Sequence, residues 1–198
     1  MFFVQGQSSM EVMNMQDFVF SLTSEEKKYL RDLAFDTIAE GLGLESGRAD
    51  LTPASERMEE KLGAFVTLKK NGQLRGCIGN VVGDAPLRKT VGKMAASAAF
   101  EDPRFPPVTK REFGELEIEI SILSPLEEVS DLEAIVPGRH GLLIRNAWRS
   151  GLLLPQVATE WGWDRETFLD HTCQKAGLPG NCWQEPQTQV FWFQAEVF

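Results

Sequence analysis

The dipeptide Asn71-Gly72 stands between two strand-like runs, Gly63 to Lys70 and Gln73 to Gly79. Asn and Gly accept the positive φ angles of a two-residue hairpin turn, so these runs pair antiparallel and the chain must build at least one sheet. Leu116, Ile118, Ile120 and Ile122 alternate with Glu117, Glu119, Ser121 and Leu123. That period of two predicts a half-buried strand with one core face and one acidic face. Gly141 to Arg145 and Gly151 to Leu154 read as a second hairpin around Asn146 to Ser150, and Gln189 to Phe198 as a terminal strand covered on both faces.

Helical segments interrupt these strands. Thr23-Ser24-Glu25-Glu26 is a capping box, and Leu30, Leu33, Ala34 and Ile38 follow at helical spacing, which predicts a helix over about 24–40. Asp84 and Pro86 offer an acceptor and a preset φ before the stripe Leu87, Val91, Met94, Ala95 and Ala98, whose small residues imply close packing. Glu101-Asp102-Pro103-Arg104-Phe105-Pro106-Pro107 contains three prolines, which forbid helix and predict a stiff, extended ridge. Asp131 to Val136 reads as a short helical turn, and Asp164 caps a helix from Arg165 to Ala176 that Gly177 and Pro179 end. The mixture predicts an α+β fold with antiparallel sheet flanked by helices.

At 198 residues the chain is long enough to bury roughly 70% of its unfolded surface without extra staples. Residues 1–20 read as a flexible lead-in that lacks the features of a signal peptide, and 21–198 as one domain with possible lobes. A net charge of -9 opposes binding to phosphate backbones, so nucleic acid is not expected as a partner. No run of eighteen apolar residues occurs, so no membrane span is expected. Cys77, Cys173 and Cys182 are odd in number and form no Cys-x-x-Cys pair, which suits the reducing cytoplasm better than a disulfide framework.

The candidate chemistry gathers around Leu74-Arg75-Gly76-Cys77-Ile78-Gly79. Strand parity separates Leu74, Gly76 and Ile78 from Gln73, Arg75 and Cys77, placing the thiol on the polar side with Arg75 two positions away. A guanidinium there would stabilise a thiolate, while flanking glycines let a ligand or another backbone approach. The competing reading is a small residue filling a tight corner beneath the alanine-rich helix. His140 in the Pro137 to Gly141 loop could carry protons if it approaches Cys77; otherwise it is an exposed turn residue. Asp102 and Arg104 could hold a polar ligand or simply lock their own loop, and Glu119 with Glu117 could bind a metal or act as a general base in a substrate site, or be a solvated strand face. Cys173 falls on the apolar face of its helix as inert core, and His171 points elsewhere, to solvent. No zinc-type His and Cys spacing and no phosphate loop occurs, so no cofactor or metal is expected, although Cys77, His140 and Glu119 are ligand types that could gather.

The Leu74 to Gly79 segment, the Asp102 to Pro107 ridge, Leu154-Pro155-Gln156-Val157 and Lys175-Ala176-Gly177-Leu178 together resemble the AMMECR-domain family in order and spacing, over about Ser24 to Phe198. The resemblance implies a larger antiparallel sheet flanked by helices, a second smaller antiparallel sheet lobe, and the Arg-Gly-Cys-Ile-Gly segment near a cleft between them. It implies candidate site roles for Arg75, Gly76, Cys77, Asp102 and Arg104. Prokaryotic members resemble the A component of the AmmeMemoRadiSam system, which implies a Memo-type protein and a radical S-adenosylmethionine protein as partners. Two functions then compete: a protein that handles a small molecule or peptide with Cys77 as nucleophile or covalent anchor, and a noncatalytic adaptor for those partners.

Overall fold

The computed structural model describes residues 21–46 and 52–198. The lead-in expected at residues 1–20 lies outside them. The elements are α1 (Ser24–Gly41), β1 (Gly63–Lys70), β2 (Gln73–Asn80), α2 (Leu87–Phe100), β3 (Leu116–Leu123), β4 (Glu127–Glu128), β5 (Gly141–Asn146), β6 (Arg149–Leu153), α3 (Pro155–Trp161), α4 (Arg165–Lys175), β7 (Gln189–Phe193) and β8 (Ala195–Val197). They form two four-stranded antiparallel sheets in the orders β2-β1-β3-β8 and β4-β7-β5-β6. This is the expected α+β architecture, with the shorter strands in the second sheet.

The first lobe follows its sequence signals closely. Thr23 Oγ1 accepts from the Glu26 N–H while the Glu26 carboxylate accepts from the Thr23 N–H, so the capping box starts α1. α1 lies on α2, and α2 lies on β1 and β2. Leu30, Ile38, Val91, Ala95, Val66, Leu68 and Ile120 are buried in one cluster between helices and sheet, each large aliphatic residue contributing about 1.5–3 kcal/mol by leaving water. The start of α2 differs from expectation: Pro86 is itself the N-cap and no side chain caps the helix.

Three features of the chain depart from the sequence reading. The proline-rich run is not extended throughout, because Phe105 N–H donates to Asp102 O at 3.1 Å and folds residues 102–105 into a turn. The terminal strand is two strands: β7 pairs with β4 and β5, then the chain passes Gln194 and β8 joins β3 in the other sheet. Gln194 N–H is held there by Ser124 Oγ at 2.9 Å. Finally, Leu154 to Val157 begins a helix, α3, with Pro155 in its first turn and Gly162 at φ 66° closing it.

The second lobe packs α3 and α4 on its sheet around Leu142, Ile144, Ala158, Phe168 and Leu169. Cys173 and Cys182 are bonded to each other and tie α4 to the turn after it. This corrects the expectation of three free thiols: Cys173 is buried core, as its helical face predicts, but oxidised, and cysteine number no longer speaks for a reducing compartment. No helix among the described residues is long and apolar enough to cross a membrane.

Candidate functional site

The hairpin turn sets the register Lys70 to Gln73 and Lys69 to Leu74, but the next pair is Leu68 to Gly76. Arg75 is therefore an extra residue, a β-bulge, and everything beyond it changes face. Continued in the register of the turn, Cys77 would lie opposite Val66, which is fully buried; the bulge sets it opposite Thr67. The sulfur thus leaves the helix side of the sheet because one strand is one residue too long. The expectation that Cys77 faces the polar side holds. The expectations for its neighbours do not, since Leu74 ends 46% exposed and Arg75 turns elsewhere.

Arg75 pairs with Glu112 in the connection between α2 and β3, Nε to Oε1 at 3.0 Å and Nη2 to Oε2 at 3.3 Å, with its guanidinium 6.0 Å from the Phe105 ring centre. Those hydrogen bonds, opposed by burial and aided by Thr109, pull Glu112 down to about 2. Arg75 is thus a brace for the α2–β3 loop, and the sequence-based pairing of Arg75 with the thiol is corrected. Gly76 has no room for a side chain: a Cβ would sit 2.2 Å from Ala98 O, which is how α2 packs so close to the sheet. Gly79 lies under the Phe65 ring in the same way.

The cation beside Cys77 is Arg104. β2 is a sheet edge, so its outward backbone groups have no strand partner. Asp102 Oδ2 accepts the Cys77 N–H at 2.8 Å, and Arg104 Nη2 donates to Cys77 O at 3.0 Å. Asp102 and Arg104 also bind each other in a fork, Nε to Oδ1 at 2.9 Å and Nη2 to Oδ2 at 2.7 Å. The pair imitates a neighbouring strand at one residue. Asp102 is buried, and the Arg104 hydrogen bonds hold its carboxyl well below the usual carboxylate range despite the cost of burial, with the Cys77 and Arg104 N–H groups assisting. Arg104 is raised chiefly by its hydrogen bond to Asp102, against burial, then by the Asp102 charge and by the Cys77 sulfur, through charge and hydrogen bonding. Its side chain is 53% exposed, and Nη1 makes no hydrogen bond among the described residues.

Cys77 is half-buried and is the free cysteine. Its Sγ accepts from Thr67 Oγ1 at 3.3 Å, and Thr67 in turn lies opposite Glu119, so Cys77, Thr67 and Glu119 form one row across three strands. Glu119 pairs with Lys69 at 2.8 Å. Lys69 is raised mainly by that hydrogen bond, against burial, with further contributions from the charges of Glu119, Glu117 and Glu160. Glu160 belongs to α3, so a charge of the second lobe acts on Lys69 in the first sheet. Thr67 and Glu160 were not singled out in the sequence. The Gly76 within a strand was the available signal for a bulge and hence for Thr67; nothing local pointed to Glu160.

His140 is not part of this arrangement. It is buried in the second lobe, its Nδ1 accepting the Val136 N–H at 3.2 Å and its ring centre 4.7 Å from that of Trp192. Burial first, then the Arg139 charge, pushes it down to about 4. No hydrogen bond joins it to Cys77, and it is neither the proton carrier nor the exposed turn residue that the sequence suggested. His171 stacks on Trp163 with ring centres 3.9 Å apart, instead of standing free in solvent. Among the described residues no three His, Cys, Asp or Glu side chains gather as metal ligands, so Cys77, His140 and Glu119 do not form a centre.

The fold and site define a class: two antiparallel sheets joined by a strand that changes sheet, with one cysteine on an edge strand whose backbone an Asp-Arg pair secures. The AMMECR1 family model matches residues 31–198, and the chain belongs to that family. A protein of Methanopyrus kandleri, MK0488, is 46% identical over 187 residues, covering 89% of each chain. A protein of Methanothermobacter thermautotrophicus is 48% identical over 145 residues, 70% of this chain and 76% of the relative. The crystal structure of uncharacterized protein PH0010 from Pyrococcus horikoshii superposes with a TM-score of 0.79 at 40% identity, covering 90% of this chain and 93% of that one.

Proposed function

We propose that this AMMECR1-family protein handles a small molecule or peptide in the cleft above Cys77, which acts as nucleophile or covalent anchor. The observation that carries the reading is the position of a free thiol beside the exposed guanidinium of Arg104, hydrogen-bonded by Thr67 and fixed in place through its own backbone. The guanidinium is placed to take up negative charge that develops on a ligand as the sulfur attacks it. In the covalent step the sulfur adds to a carbonyl carbon of the ligand, the C=O π pair moves onto the oxygen, and the thiol proton passes through water to that oxygen, so the adduct forms with no leaving group. Asp102 and Gly76 position the cysteine; Arg104 and Glu119 meet the ligand. Such chemistry needs Cys77 kept reduced, which suits the cytoplasm.

The test is the rate of iodoacetamide alkylation of the native protein across pH, with Cys77→Ser as the blank. Arg104→Gln, which removes the charge, is expected to slow Cys77 alkylation about threefold or more at neutral pH. A Cys77 that stays inert up to alkaline pH ends the chemical reading.

A second reading draws support from the internal use of Asp102 and Arg104, which spend most of their hydrogen bonds on the fold. In it the protein is a noncatalytic adaptor whose hairpin and proline-rich turn recognise a Memo-type or radical S-adenosylmethionine protein, and Cys77 fills a corner. Complex formation that survives Cys77→Ser supports the adaptor; a pull-down that recovers neither protein opposes it.

A further inference from the structure

The tip of the first hairpin carries a cavity that the Cys77 reading does not use. It measures about 350 Å³ and is lined by Lys70, Asn71, Gln73, Leu74 and Arg75, a volume at the small end of the range for ligand sites. The lining holds two cations and no carboxylate. Leu74, turned outward where the strand bulges at Arg75, adds an apolar surface.

Both cations are short of acceptors. Arg75 gives Nε and Nη2 to Glu112, which in a planar guanidinium leaves Nη1 turned away from that carboxylate. Nη1 is buried with no hydrogen-bond partner among the described residues, and an unmet donor on a sheltered charge is costly. Lys70 Nζ stands 3.7 Å from Glu112 and 3.5 Å from Glu115, near enough to feel their charge but with no hydrogen bond among the described residues. The Arg75 side chain is 11% exposed and that of Lys70 29%, whereas Glu115 is 52% exposed and water screens it. Glu112 is already engaged by Arg75 and Thr109. Two sheltered cations therefore share one sheltered anion, and the cavity beside them lacks one negative charge.

We infer that this cavity binds a small aliphatic monocarboxylate, with its oxygens on Lys70 and the Arg75 guanidinium and its hydrocarbon part on Leu74. One missing charge calls for a monoanion; a phosphate dianion would bring more charge than the two cations leave uncompensated. The exposed leucine rewards a carbon chain that leaves water against it, which an inorganic ion cannot do. The site stands whether or not the Cys77 thiol reacts.

The probe is sodium butyrate, titrated into the native protein at slightly alkaline pH and followed by NMR shifts of the Asn71 and Gln73 side-chain amides and of the Arg75 Nε–H. A dissociation constant in the millimolar range is expected. Butyramide, the same chain without the charge, should bind at least about tenfold more weakly, and inorganic phosphate should also bind more weakly than butyrate. Lys70→Gln should weaken butyrate about fivefold, and Glu115→Gln, which removes the exposed competitor for Lys70, should tighten it about threefold. Neither change touches the fork between Arg75 and Glu112, and if Lys70→Gln fails to fold, Glu115→Gln and the butyramide comparison carry the decision. No shifts up to high millimolar butyrate, butyramide binding as well as butyrate, phosphate binding more tightly, or an affinity unmoved by the variants overturns the inference.

Discussion

His140 gives the sharpest test of how this structure responds to pH. Folded, its pKa is pushed down to about 4 by burial, whereas the ordinary value is 6.5. The unfolded chain therefore binds a proton on this residue that the folded chain refuses, and stability falls as pH drops below about 6.5 until the folded form also takes the proton near 4. At pH 5 the ratio of binding factors is roughly thirtyfold, or about 2 kcal/mol relative to pH 7.5. Glu112 and Asp102 are depressed carboxylates, whose contribution is present above their ordinary values of 4.5 and 3.8 and is lost as pH falls from there toward their lower folded values. The interval between pH 7.5 and 5 thus isolates the histidine from them. Urea unfolding at both pH values should show the loss in the wild type. In His140→Asn, which keeps an acceptor for the Val136 N–H, most of the pH dependence should vanish even if the baseline stability is lower for want of the Trp192 contact. An unchanged slope in the variant would refute the enclosed, neutral imidazole described above.

Gly76→Ala should cost about 3 kcal/mol or prevent folding, because its Cβ would meet the Ala98 carbonyl at 2.2 Å and neither backbone can yield; thermal melting against the wild type decides. Reducing the Cys173 to Cys182 bond, or replacing both with Ser, opens a loop of sequence separation 9 and should lower stability by about 2–3 kcal/mol, read by denaturation with and without reductant. Arg104→Ala should cost about 2 kcal/mol by leaving the buried Asp102 carboxylate without its strongest partner, and it should raise the pH at which acid unfolding begins; a variant as acid-resistant as the wild type would contradict the clamp.

Local signals along the chain were enough to define most of the elements. The Asn71-Gly72 turn, the Thr23 to Glu26 capping box, the alternation in Leu116 to Leu123 and the Asp164 cap each act within a few residues, so each appears in the structure where its chemistry sits. The AMMECR-type motifs likewise marked the family to which the chain belongs. What the amino acids alone left undecided depends on contacts between distant segments. A single extra residue at Arg75 decides that the thiol shares its face with Thr67 rather than Val66, and the register that creates it is a property of the paired strands. The Cys77 backbone is held by Asp102 and by Arg104, the latter 27 positions away, because an edge strand needs its exposed N–H and C=O satisfied and the turn after α2 supplies both groups. His140 entered the second lobe's interior for the same reason: its place against Trp192 is set by how distant strands pair, and no stretch of neighbouring residues encodes it.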